Sequence, residues 1–308
     1  MALVGFTKTL AFEGIKYNIL ANILAPVAAS QMTETATSAD KLATLKPECV
    51  VSIVAVLVHS SNTKETGSVF QVGAGQVFKL RWERSKGALM RPDDSLTPGV
   101  VLRNCNTILD FSRDSQYPTG VSNIVNNLEK ASALPRSPNS EHLDFRGKVA
   151  LITGAGGGLG RAYALAFAKV GAKVVVNDVK NSDTVAREIR SIGGDALGVN
   201  LSVEDGGGVV EACLNAYGRL DIVVNNAGIL RDKSFTNMTD ELWESVLTIH
   251  LRGTYKITKA AWPHMVRQRY GRIVNITSTT GVYGNFGQAN YATAVSGLSP
   301  QLSLKEAE

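Results

Sequence analysis

The clearest run of hydrophobic positions starts at residue 148. KVALIT (148–153) is a short apolar stretch that ends in the glycine cluster Gly154-Ala-Gly-Gly-Gly158-Leu159-Gly160. RAYALAFAKV (161–170) follows with apolar residues at helical spacing, and AKVVVND (172–178) is a second buried run. A strand, a glycine turn, a helix and a strand within about 30 residues predict a βαβ unit of a doubly wound sheet. The alternation continues, with helices expected at 182–192, 206–216 and 240–268 and strands at 196–199, 220–225 and 272–277. Elements of this length and order predict an α/β fold, a Rossmann-like doubly wound parallel sheet covered by helices on both faces.

Residues 1–80 read differently. A helix is expected at 1–14, with apolar residues at positions 3, 6 and 10, and a strand at 19–23. PECVVSIVAVLVH (47–59) reads as a buried helix and GSVFQV (67–72) as a closing strand. This is the tail of an α/β domain without its beginning. Residues 81–144 hold Pro92, Pro98, Pro118, Pro135 and Pro138 and read as an extension and linker, most plainly in the polar, proline-broken SALPRSPNSE (132–141). The expected division is 1–80, 81–144, 145–298 and an unstructured tail, 299–308.

Composition narrows the class without deciding it. Of 308 residues, 44% are hydrophobic and 19% charged, which is ordinary for a soluble α/β protein. The net charge of +5 mildly favours anionic ligands, but no Lys/Arg run with interleaved aromatics indicates nucleic acid. Cys49, Cys105 and Cys213 are far apart and form no C-x-x-C pair, so neither a disulfide framework nor a metal site is expected. The longest apolar run, 50–58, is too short to span a bilayer, so no membrane insertion is expected.

Each motif can carry a defined chemistry. The glycine loop opens a helix directly after a strand, where backbone N–H groups attract a pyrophosphate; without a ligand it would be only a tight turn. Asp178 closes the second strand. A carboxylate there accepts the adenosine ribose hydroxyls and repels a 2′-phosphate, favouring NAD over NADP, although Asp is also a common turn residue. Asn225-Asn226-Ala227-Gly228 lies at the carboxyl edge of the LDIVVN strand, where its amides can tie strand ends together and its small residues leave room for a cofactor. Ser278 follows RIVNIT, and Tyr291 comes thirteen residues later. Such a pair suits hydride chemistry on an alcohol or ketone, the tyrosine as general acid/base and the serine polarising the oxygen.

These residues together resemble the short-chain dehydrogenase/reductases. The glycine loop with Thr153, the Asn-Asn-Ala-Gly segment, Ser278 and Tyr291-Ala-Thr-Ala carry the likeness. NNAGILRDKSF (225–235), HLRG (250–253), AAWPHM (260–265) and VYGNFGQANY (282–291) are similar to the (3R)-hydroxyacyl-CoA dehydrogenase domains of the peroxisomal multifunctional enzymes of type 2. FQVGAGQVFKLRWER (70–84) and APVAASQMT (25–33) resemble the end of the same kind of domain. The resemblance implies oxidation of a 3-hydroxyacyl-CoA with NAD in peroxisomal fatty-acid β-oxidation. It assigns Ser278 and Tyr291 to catalysis and Gly154, Gly158, Leu159, Gly160, Asp178, Asn226, Ala227 and Gly228 to the cofactor. A homodimer or pairing with a homologous domain is a further implication.

The chain departs from the family in one serious respect. The pattern is Tyr-x-x-x-Lys, and the fourth residue after Tyr291 is Val295. In the family that lysine binds the nicotinamide ribose and lowers the tyrosine pKa. An unassisted phenol of pKa about 10 is roughly one part in a thousand ionised at neutral pH. An impaired dehydrogenase is therefore expected; the alternative is a non-catalytic fragment that at most binds NAD or pairs with an intact subunit. His250 stands where most of the family has Asn, as it does in the type 2 branch. The last residues, Glu306-Ala-Glu308, form no Ser-Lys-Leu-type peroxisomal signal, so a peroxisomal location rests on resemblance and a cytoplasmic one is the alternative.

Residues 1–80 and 145–298 look complementary rather than repeated. This predicts one circularly permuted domain, with 1–14 prolonging the helix that Tyr291 begins. Val69 and Val72 would then share a sheet with Ala150 and Val175.

Overall fold

The computed structural model describes residues 1–29, 45–120, 122–138 and 143–298. The expected tail 299–308 lies outside the described residues, as does part of the proline-broken stretch.

The chain opens with α1 (Ala2–Gly14), β1 (Ile23–Pro26), α2 (Glu48–Val58), β2 (Val69–Gly73) and β3 (Gln76–Leu80). The stretch read as extension and linker holds three helices, α3 (Pro98–Arg103), α4 (Cys105–Ile108) and α5 (Ser122–Ser132). Then come β4 (Val149–Thr153), α6 (Gly158–Lys169), β5 (Lys173–Asn177), α7 (Ser182–Ser191), β6 (Asp195–Val199), α8 (Gly206–Tyr217) and β7 (Ile222–Asn225). The described chain closes with α9 (Asp240–Leu247), α10 (Gly253–Gln268), β8 (Arg272–Asn275), α11 (Thr279–Tyr283) and α12 (Ala289–Gly297).

Strands β6-β5-β4-β7-β8 form one five-stranded sheet, and every neighbouring pair in it is parallel. Its central strands are continuous apolar runs because both faces are covered. The period of two along β4 divides its side chains between two cores. Val149 and Leu151 pack with Val175, Val223, Val209, Cys213, Ile257 and Met265, on the side of α8 and α10. Ala150 and Ile152 pack with Val174, Val176, Ala164, Val185 and Ile189, on the side of α6 and α7. The α/β doubly wound reading of this part holds.

Helix ends follow from local chemistry. The Asp205 carboxylate accepts from Gly208 N–H at the start of α8, and the Thr239 hydroxyl accepts from Leu242 N–H at the start of α9. The expected long helix 240–268 is one rod with a π turn, Thr248–Arg252, inserted between α9 and α10. That turn carries His250.

The circular permutation is not what the structure shows. β1, β2 and β3 form a separate three-stranded sheet, so Val69 and Val72 do not share a sheet with Ala150 and Val175. The first strand is also shifted, running over Ile23–Pro26 instead of 19–23. The reason lies in α1. It packs beside α12 rather than prolonging it: Ala2 lies against Gly297, Gly5 against Ser296 and Ala292, and Thr9 against Asn285. Numbers rise along one helix and fall along the other, so the pair is antiparallel. Only glycine fits at position 5, because a Cβ there would collide with the Ala292 carbonyl and the Ser296 hydroxyl. A helix lying alongside α12 cannot be its continuation, and the strands that follow it build a sheet of their own. A second correction concerns α2. It is a helix as expected, but none of its residues is buried.

Candidate active site

The glycine loop, the Asn-Asn-Ala-Gly segment and the strand end at Thr153 are stitched together. Thr153 is buried, and its hydroxyl oxygen accepts the N–H groups of Asn226 and Ala227, both at 3.0 Å. Asn226 returns the contact, its side-chain amide donating to the carbonyls of Thr153 (3.0 Å) and Gly154 (3.2 Å). Gly154 sits at φ +64°, and a Cβ there would lie 2.7 Å from the Ala227 Cα. The close approach of loop to strand end thus requires that residue to be glycine. Gly160, in the first turn of α6, backs onto Gly154 and Asn226 in the same way.

Gly157 and Gly158 face open space at the start of α6, and Leu159 is exposed beside them. The first N–H groups of a helix have no partner within it, so this corner presents donors to an anion. Asp178 lies across the loop. One of its carboxylate oxygens accepts Gly156 N–H at 2.9 Å and the other accepts Lys180 N–H at 3.0 Å. Open glycines, unpaired amides and a fixed carboxylate on one side fit a dinucleotide whose ribose reaches Asp178.

The amides at the strand ends behave as expected. Asn225 donates to Asn275 on β8 (2.9 Å) and to Thr258 on α10 (3.1 Å), tying three elements together. Its own side-chain oxygen is buried without a hydrogen-bond partner among the described residues.

A second group forms around Tyr291, on the first turn of α12. Its ring meets the His250 ring edge-on, with centroids 5.1 Å apart. His250 Nε2 lies 2.9 Å from both the N–H and the carbonyl oxygen of Ile229, and the ring packs directly on Gly228, where a Cβ would overlap the imidazole. Burial holds the imidazole below its ordinary pKa, against a smaller opposing effect of its contact with the Ile229 carbonyl, so the ring is neutral at neutral pH. Gly228, His250 and Tyr291 thus form one stack. π turns occur disproportionately at functional sites, and this one sets His250 inward.

Ser278 caps α11, which packs on α12. Its hydroxyl oxygen accepts Thr280 N–H at 3.2 Å, and among the described residues no hydrogen bond joins it to Tyr291. Val295, one turn after Tyr291, is buried, and its carbonyl accepts from the Thr277 hydroxyl at 2.7 Å. Two contributors escaped sequence reasoning. Gly156 sits inside the quoted motif, but its contact with Asp178 depends on the fold of the loop. Glu13, near the opposite end of the chain, lies in none of the motifs, yet its carboxylate accepts the N–H groups of Phe235 and Gly287.

Residues 148–307 match the model of the short chain dehydrogenase family. The whole chain is 56% identical over 311 residues to the peroxisomal hydratase-dehydrogenase-epimerase of Neurospora crassa and 43% identical over 324 residues to that of Saccharomyces cerevisiae. It spans only 35% and 36% of the length of those two relatives. About half of it, 51%, is 52% identical over 167 residues to 23% of the peroxisomal multifunctional enzyme type 2 of Mus musculus. With its glycine loop, strand-end amides and Tyr291 in one continuous fold, the chain belongs to the short-chain dehydrogenase family, whose members generally use NAD or NADP.

Proposed function

We propose that the chain is the nucleotide-binding and catalytic part of an NAD-linked dehydrogenase for (3R)-hydroxyacyl-CoA esters, slowed by Val295. The observation that carries this reading is Asp178, whose carboxylate is held beside the open glycine corner by two backbone N–H groups. Each oxygen keeps a lone pair for a ribose hydroxyl, and the charge opposes a 2′-phosphate. NAD, when bound, supplies the hydride acceptor for the carbinol carbon. Tyr291 takes or returns the proton at the substrate oxygen. Because Thr280 N–H already donates to the Ser278 oxygen, the Ser278 O–H is left to donate to that substrate oxygen. His250 shapes this corner but, being neutral, brings no positive charge to the phenol.

The substrate class follows from the names of the long relatives and the type 2 motifs, and the peroxisome follows from the same names. No helix among the described residues is long and apolar enough to cross a membrane. A second reading, in which the chain binds NAD or pairs with an intact subunit without turnover, is favoured by one observation. Val295 is buried in the α12 face where the family carries its lysine.

Turnover separates the two readings. Reduction of acetoacetyl-CoA by NADH is measured for the unmodified chain and for Val295→Lys across pH. An impaired enzyme gains about 100-fold at neutral pH on restoring the lysine, the lower end of what general acid–base catalysis contributes. Its residual rate before restoration rises toward alkaline pH. A full rate in the unmodified chain contradicts the impairment; no rate in either, with NADH bound, favours the second reading.

A further inference from the structure

Two loops flank the Tyr291 corner. One, 229–238, leaves Gly228; the other, 284–288, leads into α12. They are joined to each other: Lys233 N–H donates to the Gly287 carbonyl (2.8 Å), and the Gln288 side-chain amide donates to Asp232 (2.9 Å). Asn290, next to Tyr291, donates to the Arg231 carbonyl at 3.0 Å. The paired loops therefore move with the residue that enters catalysis.

Neither loop belongs to the sheet that builds the nucleotide corner, and their outer support comes from α1. Glu13, at the far end of that helix, is buried at 8% exposure. One of its carboxylate oxygens accepts Gly287 N–H at 3.0 Å, and the other accepts Phe235 N–H at 2.6 Å. Thr9 accepts Asn285 N–H at 3.3 Å, and Phe6 packs edge-on with Phe235 and Trp243, centroids 5.5 Å apart in each case. A buried carboxylate is costly unless its oxygens are bonded, and here both bonds go to backbone amides of different loops.

We propose that Glu13 is a positioning residue for the acyl-substrate side of the site, its carboxylate clamping both loops. The assignment of that side to an acyl-CoA rests on the function proposed above. The clamp gives residues 1–14 a place in the site that no motif of the dehydrogenase half reveals. Removing it frees the wall around Tyr291 and leaves the nucleotide corner, built from β4, α6 and β5, intact.

The test compares the unmodified 308-residue chain with Glu13→Ala and Glu13→Gln. Hydrogen exchange is read on peptides covering 229–238 and 284–291, with peptides from 148–153 and 172–178 as references. Acetoacetyl-CoA is titrated calorimetrically into the NAD-loaded proteins. In Glu13→Ala both loop peptides exchange about tenfold faster and acetoacetyl-CoA binds about tenfold more weakly, the loss of one charge-assisted bond's worth of order. NAD affinity and the reference peptides do not change. Glu13→Gln keeps one acceptor oxygen and therefore releases one loop peptide only. Unchanged exchange in both loops of Glu13→Ala overturns the proposal, as does an equal loss of NAD affinity, which would mark Glu13 as a general support of the fold. If the unmodified chain binds no acetoacetyl-CoA, the substrate class fails, and the exchange data still decide whether Glu13 clamps the loops.

Discussion

Residues 149–275 and the described part of residues 23–80 each contain a parallel strand pair and an apolar helix, but the first region buries most of its apolar residues whereas the second buries only Phe70 and Val72 of β2. All five residues of β4, VALIT, are buried, and so are all four of β7. α2, with the sequence ECVVSIVAVLV, is as apolar as β4 and buries nothing; Val58 is 78% exposed. β3 is exposed throughout. β4 has strands on both sides and helices over both faces, whereas among the described residues α2 packs chiefly against β2. Apolar sequence sets what a segment can bury. The elements that reach it decide what it does bury.

The largest effect that tests this contrast is a pair of truncations. Ile152→Ala in β4 is expected to cost about 2–5 kcal/mol, because a filled core cannot collapse onto the lost atoms. Val58→Ala in α2 is expected to change stability by no more than about 0.5 kcal/mol. Urea unfolding of both variants checks this. Comparable losses would mean that α2 is covered in solution.

A smaller effect is electrostatic and confined to the better packed region. The folded pKa of His250 lies below the unfolded value of about 6.5. Such a group contributes stability that is present above pH 6.5 and lost as pH falls through the folded pKa. The Tm of the unmodified chain should drop on acidification below that pH, and His250→Asn should flatten the drop. An identical pH profile for both proteins would place the imidazole in water.

The mildest probe leaves the fold untouched. Cys213, on the core face of α8, has its thiol pushed up to about 12 by burial and then by the nearby Asp221 charge. Cys49 on α2 and Cys105 on α4 are partly exposed. A thiol reagent at pH 8 should label two cysteines quickly and the third only on unfolding. Fast labelling of all three would contradict the tight packing of the dehydrogenase half.

The same contrast explains what the sequence disclosed. The β4–α6–β5 unit was legible because strand, glycine turn and helix are local patterns, and Asp178 and Asn226 sit at fixed offsets from them. The tie from Asn225 to Asn275 is equally legible, since an amide at a strand end has neighbouring strand ends as its nearest partners. The placement of residues 1–80 was not legible. The complementarity of the two parts suggested one sheet, but the choice between prolonging α12 and lying beside it turns on Gly5, whose missing Cβ admits a neighbouring helix. The exposure of α2 escaped for a similar reason, since hydrophobic periodicity does not say whether a partner is present. The π turn under His250 leaves no mark in the spacing of apolar residues. Glu13 was invisible because its partners are backbone amides far along the chain.

The central claim is that β4, the glycine loop and Asp178 form an assembled nucleotide site selective for NAD. Parallel fluorescence titrations with NADH and NADPH test it most directly, on the unmodified chain and on Asp178→Ala. The account predicts saturable enhancement with NADH, at least about tenfold tighter than with NADPH, and a narrowed gap in the variant because the carboxylate that opposes the 2′-phosphate is gone. Absence of saturation, or equal affinity for the two nucleotides in the unmodified chain, would contradict it.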